Sequence, residues 1–167
     1  MGGDTGEKFI SPTLGELSIS EVVNEVCKFV GLDCYAFYRL IIGTDSQTRK
    51  SNSEAEIDFV TAIVIHRRGS GGRYFWIRER QRKHYVLRQK IYTETAKSLA
   101  LAEELVPLIR SKIPPGVYDL EIHIDVGTVG PTREMIKEVV GMVTGSGYTA
   151  KTKPESYGAS SVADRHT

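Results

Sequence analysis

The chain has 167 residues, of which 40% are apolar and 26% are charged, a composition typical of a water-soluble globular domain. No apolar run approaches the roughly 18 residues that a membrane span requires. The N-terminus lacks a basic start followed by an apolar stretch, so we expect no secretory signal and a cytoplasmic location. Cys27 and Cys34 form no CxxC pair, and we expect both to be reduced.

The net charge of +1 conceals a strongly basic segment. Residues 67–90 carry a net charge of +8, so the rest of the chain carries −7. Such a block is usually a solvated surface, but the interleaved Tyr74, Trp76 and Tyr85 favour contact with a nucleic-acid backbone. Lys153 is a further candidate, either for phosphate contact or as a solvated side chain. The predicted nucleic-acid-binding residues are Arg67, Arg68, Arg73, Arg78, Arg80, Arg82, Lys83, Arg88 and Lys153.

The first 35 residues are expected to form an arm and an accessory helix outside the main domain at 36–167. Residues 1–17 are polar and rich in glycine, which predicts little fixed structure. Ser18 and Glu21 have the spacing of a capping box, and apolar residues at helical spacing follow until Gly31.

Three strands are predicted next. The first covers about Ala36 to Asp45 and ends in the segment LIIGTDSQ, after which residues 48–56 are expected to form a polar loop. The second and third, Ile57–His66 and Arg73–Arg78, are expected to form a hairpin.

A long helix is predicted over about His84 to Lys112, and it carries an unusual acid. Helical spacing places Leu87 and Leu105 at the centre of the buried stripe, and Glu94 falls about 20° from that centre. If the end of the helix protrudes from the core, Glu94 is merely solvated. Because the helix continues on both sides of Glu94, we favour a functional carboxylate above the sheet.

The remaining segments complete a mixed α/β fold. Tyr118–Asp125 alternates as a strand, Pro131 suits the first turn of a helix, and Tyr148–Lys151 is a candidate fifth strand. Residues 157–166 are expected to form a short terminal helix. The order of elements predicts a five-stranded mixed sheet flanked by helices.

Four acids occupy positions that suit metal chemistry: Asp45 and Asp125 at strand ends, Glu94 on a buried helix face and Asp164 in the terminal helix. Hard divalent cations prefer such oxygen ligands, and a pair of them can activate water and stabilise the departing oxygen of a phosphodiester. If the fold brings these carboxylates together, they repel one another unless a cation is bound.

This arrangement resembles the ribonuclease H fold, whose metal site consists of Asp, Glu, Asp and Asp. More closely, the segments IGTDSQ, FVTAIVIHRRG, LEIHIDVG and KPESYGASSVADRHT resemble the YkuK-like family of predicted ribonuclease-H-related nucleases. The resemblance implies two Mg²⁺ or Mn²⁺ ions, with Asp45 and Asp125 contacting both and Glu94 and Asp164 one each. The implied substrate is RNA or an RNA-containing duplex.

Two departures from ribonuclease H are visible. Ser46 follows the first Asp where ribonuclease H has Gly, and residues 151–156 lack the His often found before its last helix. Two alternatives stay open. One is a nucleotide- or phosphate-binding module that uses Asp125 and the glycines at 127 and 130, and the other is a nucleic-acid-binding protein without catalytic activity.

Overall fold

The computed structural model describes residues 6–52, 54–69 and 71–156. This part of the chain contains seven strands and three α-helices, with a short 3₁₀ helix at Arg133–Met135. The elements are β1 (Phe9–Ser11), β2 (Gly15–Leu17), α1 (Ile19–Gly31), β3 (Tyr38–Ser51), β4 (Glu54–Arg67), β5 (Gly72–Gln81), α2 (Leu87–Arg110), β6 (Tyr118–His123), α3 (Ile136–Gly145) and β7 (Thr149–Lys151).

The strands form one mixed sheet in the order β2-β1-β5-β4-β3-β6-β7. The β3, β4 and β5 strands are antiparallel neighbours, whereas β6 pairs in parallel with β3 and with β7. The predicted mixed α/β fold is confirmed. The predicted count of five strands is wrong, because β1 and β2 extend the sheet to seven.

The two additional strands lie in the segment that was expected to be an unstructured arm. Phe9 and Leu17 are directly paired across the β1–β2 hairpin, and both side chains are buried in the core. The Ser11 hydroxyl accepts a hydrogen bond from the Leu14 backbone N–H at 3.2 Å, and Gly15 has a φ of +76°, which favours glycine. Burial of two large apolar side chains therefore orders a segment whose sequence is mostly polar.

The first helix begins as its sequence predicts. Ser18 is the N-cap residue, and its hydroxyl accepts a hydrogen bond from the Glu21 backbone N–H at 3.2 Å. Val22, Val23 and Val26 lie on the buried face of α1.

The β3–β4 hairpin is much longer than expected. Its pairing runs without a break from Tyr38↔Arg67 to Ser51↔Glu54, so most of the predicted loop at 48–56 is strand. Asp45 therefore lies in the middle of β3 and not at its end. On the other side of β3, pairing with β6 stops at Gly43↔His123, which leaves a step in the sheet just before Asp45.

The three helices share one hydrophobic core. Alternate β3 residues Tyr38, Leu40 and Ile42 belong to this core together with buried residues of α1, α2 and α3. A much smaller apolar cluster, formed by Ile41 and Ala62 with Val64 and Trp76, lies on the other face of the sheet.

The prediction for α2 is correct at its centre and wrong at its start. Leu105 and Glu94 are buried, but the helix begins at Leu87, whose side chain is 39% exposed. The first turn projects beyond the core, so Leu87 does not mark the centre of the buried stripe.

The last elements agree with the expected order but differ in their boundaries. Asp125 lies two residues beyond β6, and α3 begins at Ile136 because the 3₁₀ turn intervenes after Pro131. The fifth strand predicted at Tyr148–Lys151 is present as β7. The predicted terminal helix at 157–166, with Asp164, lies outside the described residues.

Candidate acidic site

Asp45, Glu94 and Asp125 lie around the step where β3 continues past the end of β6. Asp45 follows Gly43 by two residues, and Asp125 follows His123, the β6 partner of Gly43, by the same interval. Glu94 approaches from α2. A narrow crevice at this position is lined by Glu94 and Asp125 together with Thr44, Thr95, His123 and Ile124.

Glu94 is nearly excluded from solvent, at 6% exposure. The pKa of its carboxyl is raised to about 8, mainly because burial disfavours the charged form; the negative charges of Asp45 and Asp125 also raise the pKa, whereas the Ser46 hydrogen bond and Lys90 lower it. The Ser46 hydroxyl donates to Glu94 Oε1 at 2.5 Å. The charges of Asp45 and Asp125 therefore both act on the Glu94 carboxyl.

Asp45 and Ser46 have different surroundings because side chains alternate along β3. Ser46 faces α2, as its contact with Glu94 shows, so Asp45 projects toward the other face of the sheet. Asp45 Oδ1 accepts a hydrogen bond from the Ser46 backbone N–H at 2.9 Å.

A buried hydroxyl cluster fixes α2 against the sheet beside Glu94. Thr44 Oγ1 lies 2.8 Å from Ser98 Oγ and 3.0 Å from Thr61 Oγ1. Ser98 is one helical turn after Glu94, so these hydrogen bonds link β3, β4 and α2 and set the height of Glu94 above the sheet.

Asp125 is the more exposed member of the site, with 34% of its side chain accessible. Its Oδ1 lies 2.9 Å from the Lys153 ammonium. The Lys153 backbone N–H donates to the Val126 carbonyl at 2.8 Å, so the segment after β7 is joined to the loop that carries Asp125.

A second buried charged group lies on β6, next to the site. Glu121 Oε2 accepts from Arg39 at 2.7 Å and lies 2.9 Å from His123 Nε2. Burial alone raises the pKa of Glu121, but the contacts with His123 and Arg39 outweigh it and lower the pKa. Burial lowers the pKa of His123, which favours the neutral ring. This group was not among the predicted site residues, although the alternation of β6 puts Glu121 and His123 on one face of the strand.

The donor set suits a hard divalent cation, since it consists of carboxylates. Within residues 6–52, 54–69 and 71–156, however, no group of three or more His, Cys, Asp or Glu residues is close enough together to hold a metal ion. Asp125 is paired with Lys153 through Oδ1, so metal binding at this oxygen requires that contact to rearrange, whereas the Ser46 hydrogen bond is made to a single oxygen of Glu94, Oε1. The fourth predicted ligand, Asp164, is not among the described residues.

The basic segment is divided into two groups by the fold. Arg67, Arg68 and Arg73 lie at the β4–β5 turn, whereas Arg78 lies opposite Val60, the β4 partner of Asp45. Seven residues of β4 separate Val60 from Arg67, which corresponds to about 23 Å along the strand. Arg67 and Arg73 both stack on the Phe29 ring of α1.

Several of the predicted nucleic-acid contacts have acidic partners. Arg80 Nε lies 2.7 Å from Asp58 Oδ1, Arg82 lies 3.6 Å from Glu56, and Arg88 lies 3.0 Å from Glu138. Lys83 and Arg78 contact the rings of Tyr85 and Trp76. The long β3 strand contributes two further exposed basic residues, Arg49 and Lys50. Both had been predicted to lie in a loop.

Comparison with known proteins shows the family to which the chain belongs. Residues 21–167 match the family model described as Ribonuclease H-like, and the chain belongs to this family. The chain is also 32% identical to the uncharacterised protein YkuK of Bacillus subtilis (strain 168), over 95% of this chain and 96% of the relative. Both findings confirm the predicted resemblance. No solved structure matches the chain significantly.

No helix in the described part of the chain combines the length and the apolar character needed to cross a bilayer.

Proposed function

We propose that the protein is a divalent-cation-dependent nuclease that hydrolyses phosphodiester bonds in RNA or RNA-containing duplexes. Membership of the ribonuclease H-like family supports the reaction class. The observation that carries the proposal is Glu94, a buried carboxyl whose pKa is raised to about 8, first by burial and also by the charges of Asp45 and Asp125. Such a group is destabilising as a bare carboxylate and suits a bound cation.

Asp45, Glu94 and Asp125, with Asp164, are the proposed ligands of Mg²⁺ or Mn²⁺. When bound, these ions activate water and stabilise the departing sugar oxygen. The chain's own contribution is positioning. The Thr44–Ser98 contact sets the height of Glu94, and the loop after β6 carries Asp125 to the same crevice.

The proposed nucleic-acid path runs over the basic residues on the face of the sheet toward which Asp45 projects. Arg78 lies across β4 from Asp45, and the exposed Arg49 extends along the same hairpin. Phosphate contacts of this kind fix the register of a substrate without reading its sequence. RNA in the cytoplasm is the proposed substrate.

The test is cleavage of labelled RNA, DNA and hybrid duplexes with Mn²⁺ and with a chelator. We expect Mn²⁺-dependent cleavage of the RNA-containing substrates. Asp45→Asn, Glu94→Gln, Asp125→Asn and Asp164→Asn should each reduce the rate by more than about 100-fold, the scale of losing one transition-state contact.

Glu103→Gln is the matched control, since Glu103 is an exposed acid on the same helix as Glu94. Cleavage that persists in Asp45→Asn, or that does not need a divalent cation, contradicts the proposal. Salt-sensitive RNA binding without cleavage would favour the non-catalytic alternative.

The phosphate-binding alternative receives less support from the loop geometry. The Gly127 backbone N–H, one of the amides that would bind phosphate, donates to Thr132 Oγ1 at 3.1 Å. It is therefore already engaged within the loop.

A further inference from the structure

The Lys153 side chain is held in place by its own segment. Its backbone N–H donates to the Val126 carbonyl at 2.8 Å. Its Cβ lies against Gly127, so that a Cβ built on that glycine would be 3.4 Å away. From this base the side chain reaches Asp125, where the ammonium lies 2.9 Å from Oδ1.

The position of this ammonium is informative because Asp125 is also a proposed metal ligand. A carboxylate oxygen that is paired with Lys153 must give up or share that contact when it binds a cation. Lys151, two residues earlier, differs, since its ammonium lies 3.7 Å from Glu155. Of these two neighbouring lysines, Lys153 is the one that contacts the acidic site.

We propose that Lys153 is an internal cation that occupies Asp125 in the metal-free protein and competes with the divalent ion for it. The inference rests on the proposed function, because it requires Asp125 to be a metal ligand. Once released, the ammonium stays beside the site on its anchored segment, where a substrate phosphate is the complementary partner. Lys153 is thus a positioning residue that links metal entry to substrate contact.

The exposure of the pair limits the size of the effect. The Lys153 side chain is 57% exposed and that of Asp125 is 34% exposed. Ion pairs accessible to water contribute about 0.2–1 kcal/mol, which corresponds to a change in affinity of at most about five-fold. The competition is therefore weak, and it is screened by salt.

The experiment measures Mn²⁺ binding to the full chain by electron paramagnetic resonance, at low ionic strength and without substrate. The variants are Lys153→Met, which keeps the aliphatic stem but removes the charge, and Lys151→Met as the matched control. We expect Lys153→Met to bind Mn²⁺ about two- to five-fold more tightly than the wild type. Lys151→Met should change the affinity less, and the difference between the two variants should shrink in 0.5 M salt.

The outcomes separate this inference from the proposed function. If Asp125→Asn weakens Mn²⁺ binding but Lys153→Met leaves it unchanged or weaker, Lys153 does not compete and only the inference is overturned. If Lys151→Met and Lys153→Met tighten binding equally, the effect is general electrostatics, and the inference is again overturned. If the wild type and all variants bind no Mn²⁺, both proposals fail.

Discussion

Asp58 and Glu94 are two carboxyl groups on the same sheet and helix assembly, 1% and 6% exposed, yet their pKa values move in opposite directions. The Arg80 hydrogen bond lowers the pKa of Asp58, and the nearby charges of Arg80 and Arg49 act in the same direction. The pKa of Glu94 is raised to about 8, mainly by burial and also by the charges of two neighbouring acids. Burial alone therefore does not identify a functional acid.

The difference lies in what covers each group. Asp58 lies beneath arginine side chains that are themselves about half exposed, so its charge is balanced by the chain. Glu94 lies between α2 and the sheet, where the neutral hydroxyl of Ser46 donates a hydrogen bond to it. The first is a structural ion pair, and the second is a carboxyl that burial and neighbouring acids hold mainly in the protonated form at neutral pH.

The largest expected effect is on stability at Glu94. The folded state binds this proton more tightly than the unfolded chain, so the free energy of unfolding falls as pH rises from about 4.5 to about 8. At pH 7 the ionisable carboxyl costs about 3 kcal/mol by linkage, and Glu94→Gln should recover most of it. Urea unfolding in chelator at pH 5 and pH 8 measures this slope. If the free energy of unfolding of Glu94→Gln depends on pH as steeply as that of the wild type, Glu94 is not the group with the raised pKa.

Asp58 should show the opposite pH dependence. Its folded pKa is lowered, so the ion pair contributes stability above the usual pKa of an Asp and loses it as pH falls through the folded pKa. Asp58→Asn should lower Tm at pH 7 by about 2–4 °C. The gap to the wild type should narrow below pH 4, as thermal melts followed by circular dichroism can show. A gap that widens in acid would refute the comparison.

Replacement of Arg78 and replacement of Arg80 should have different effects, the first on RNA binding and the second on stability. Arg78→Gln removes a cation beside the proposed substrate path, and we expect weaker RNA binding and a salt slope lower by about 1. Arg80→Gln removes the partner of Asp58, so its main effect should be a lower Tm. Filter binding at several salt concentrations, with thermal melts of both variants, tests the division. Equal salt slopes for the two variants would contradict it.

The smallest expected effect concerns Ser46. Ser46→Ala removes the hydroxyl that stabilises charged Glu94, so the pKa of Glu94 should rise further. Loss of one hydrogen bond of about 1 kcal/mol should weaken Mn²⁺ binding at pH 7 by about five-fold and shift its pH midpoint upward. An unchanged midpoint would show that Ser46 does not tune the site. Ser46→Gly introduces the residue of ribonuclease H itself.

Glu94 was predictable because helical spacing is a strong signal in a long helix, and a carboxyl near the buried stripe is conspicuous. Asp58 was not, because its burial depends on arginines from β3 and β5, which meet it only after the strands pair. The exposure of Leu87 was also hidden, since spacing gives the side of a helix but not where the core ends.

The strand errors have a common physical reason. Sequence predicts a strand through apolar alternation, but residues 46–51 are polar on both faces of an extended hairpin, and β1 and β2 have three residues each. The pairing of β3 with β4 and the burial of Phe9 and Leu17 order these segments. Tertiary contacts, and not the local sequence pattern, therefore determine that these segments are strands.

The step between β3 and β6 has a consequence for solubility. No strand among the described residues pairs with β3 on the β6 side beyond Gly43, so the strand presents an open edge from Thr44 to Ser51. Such an edge invites pairing with another chain, and charged side chains along it discourage this. Gln47, Thr48, Arg49 and Lys50 are all exposed there. The charges proposed to meet nucleic acid would also keep the hairpin from aggregating.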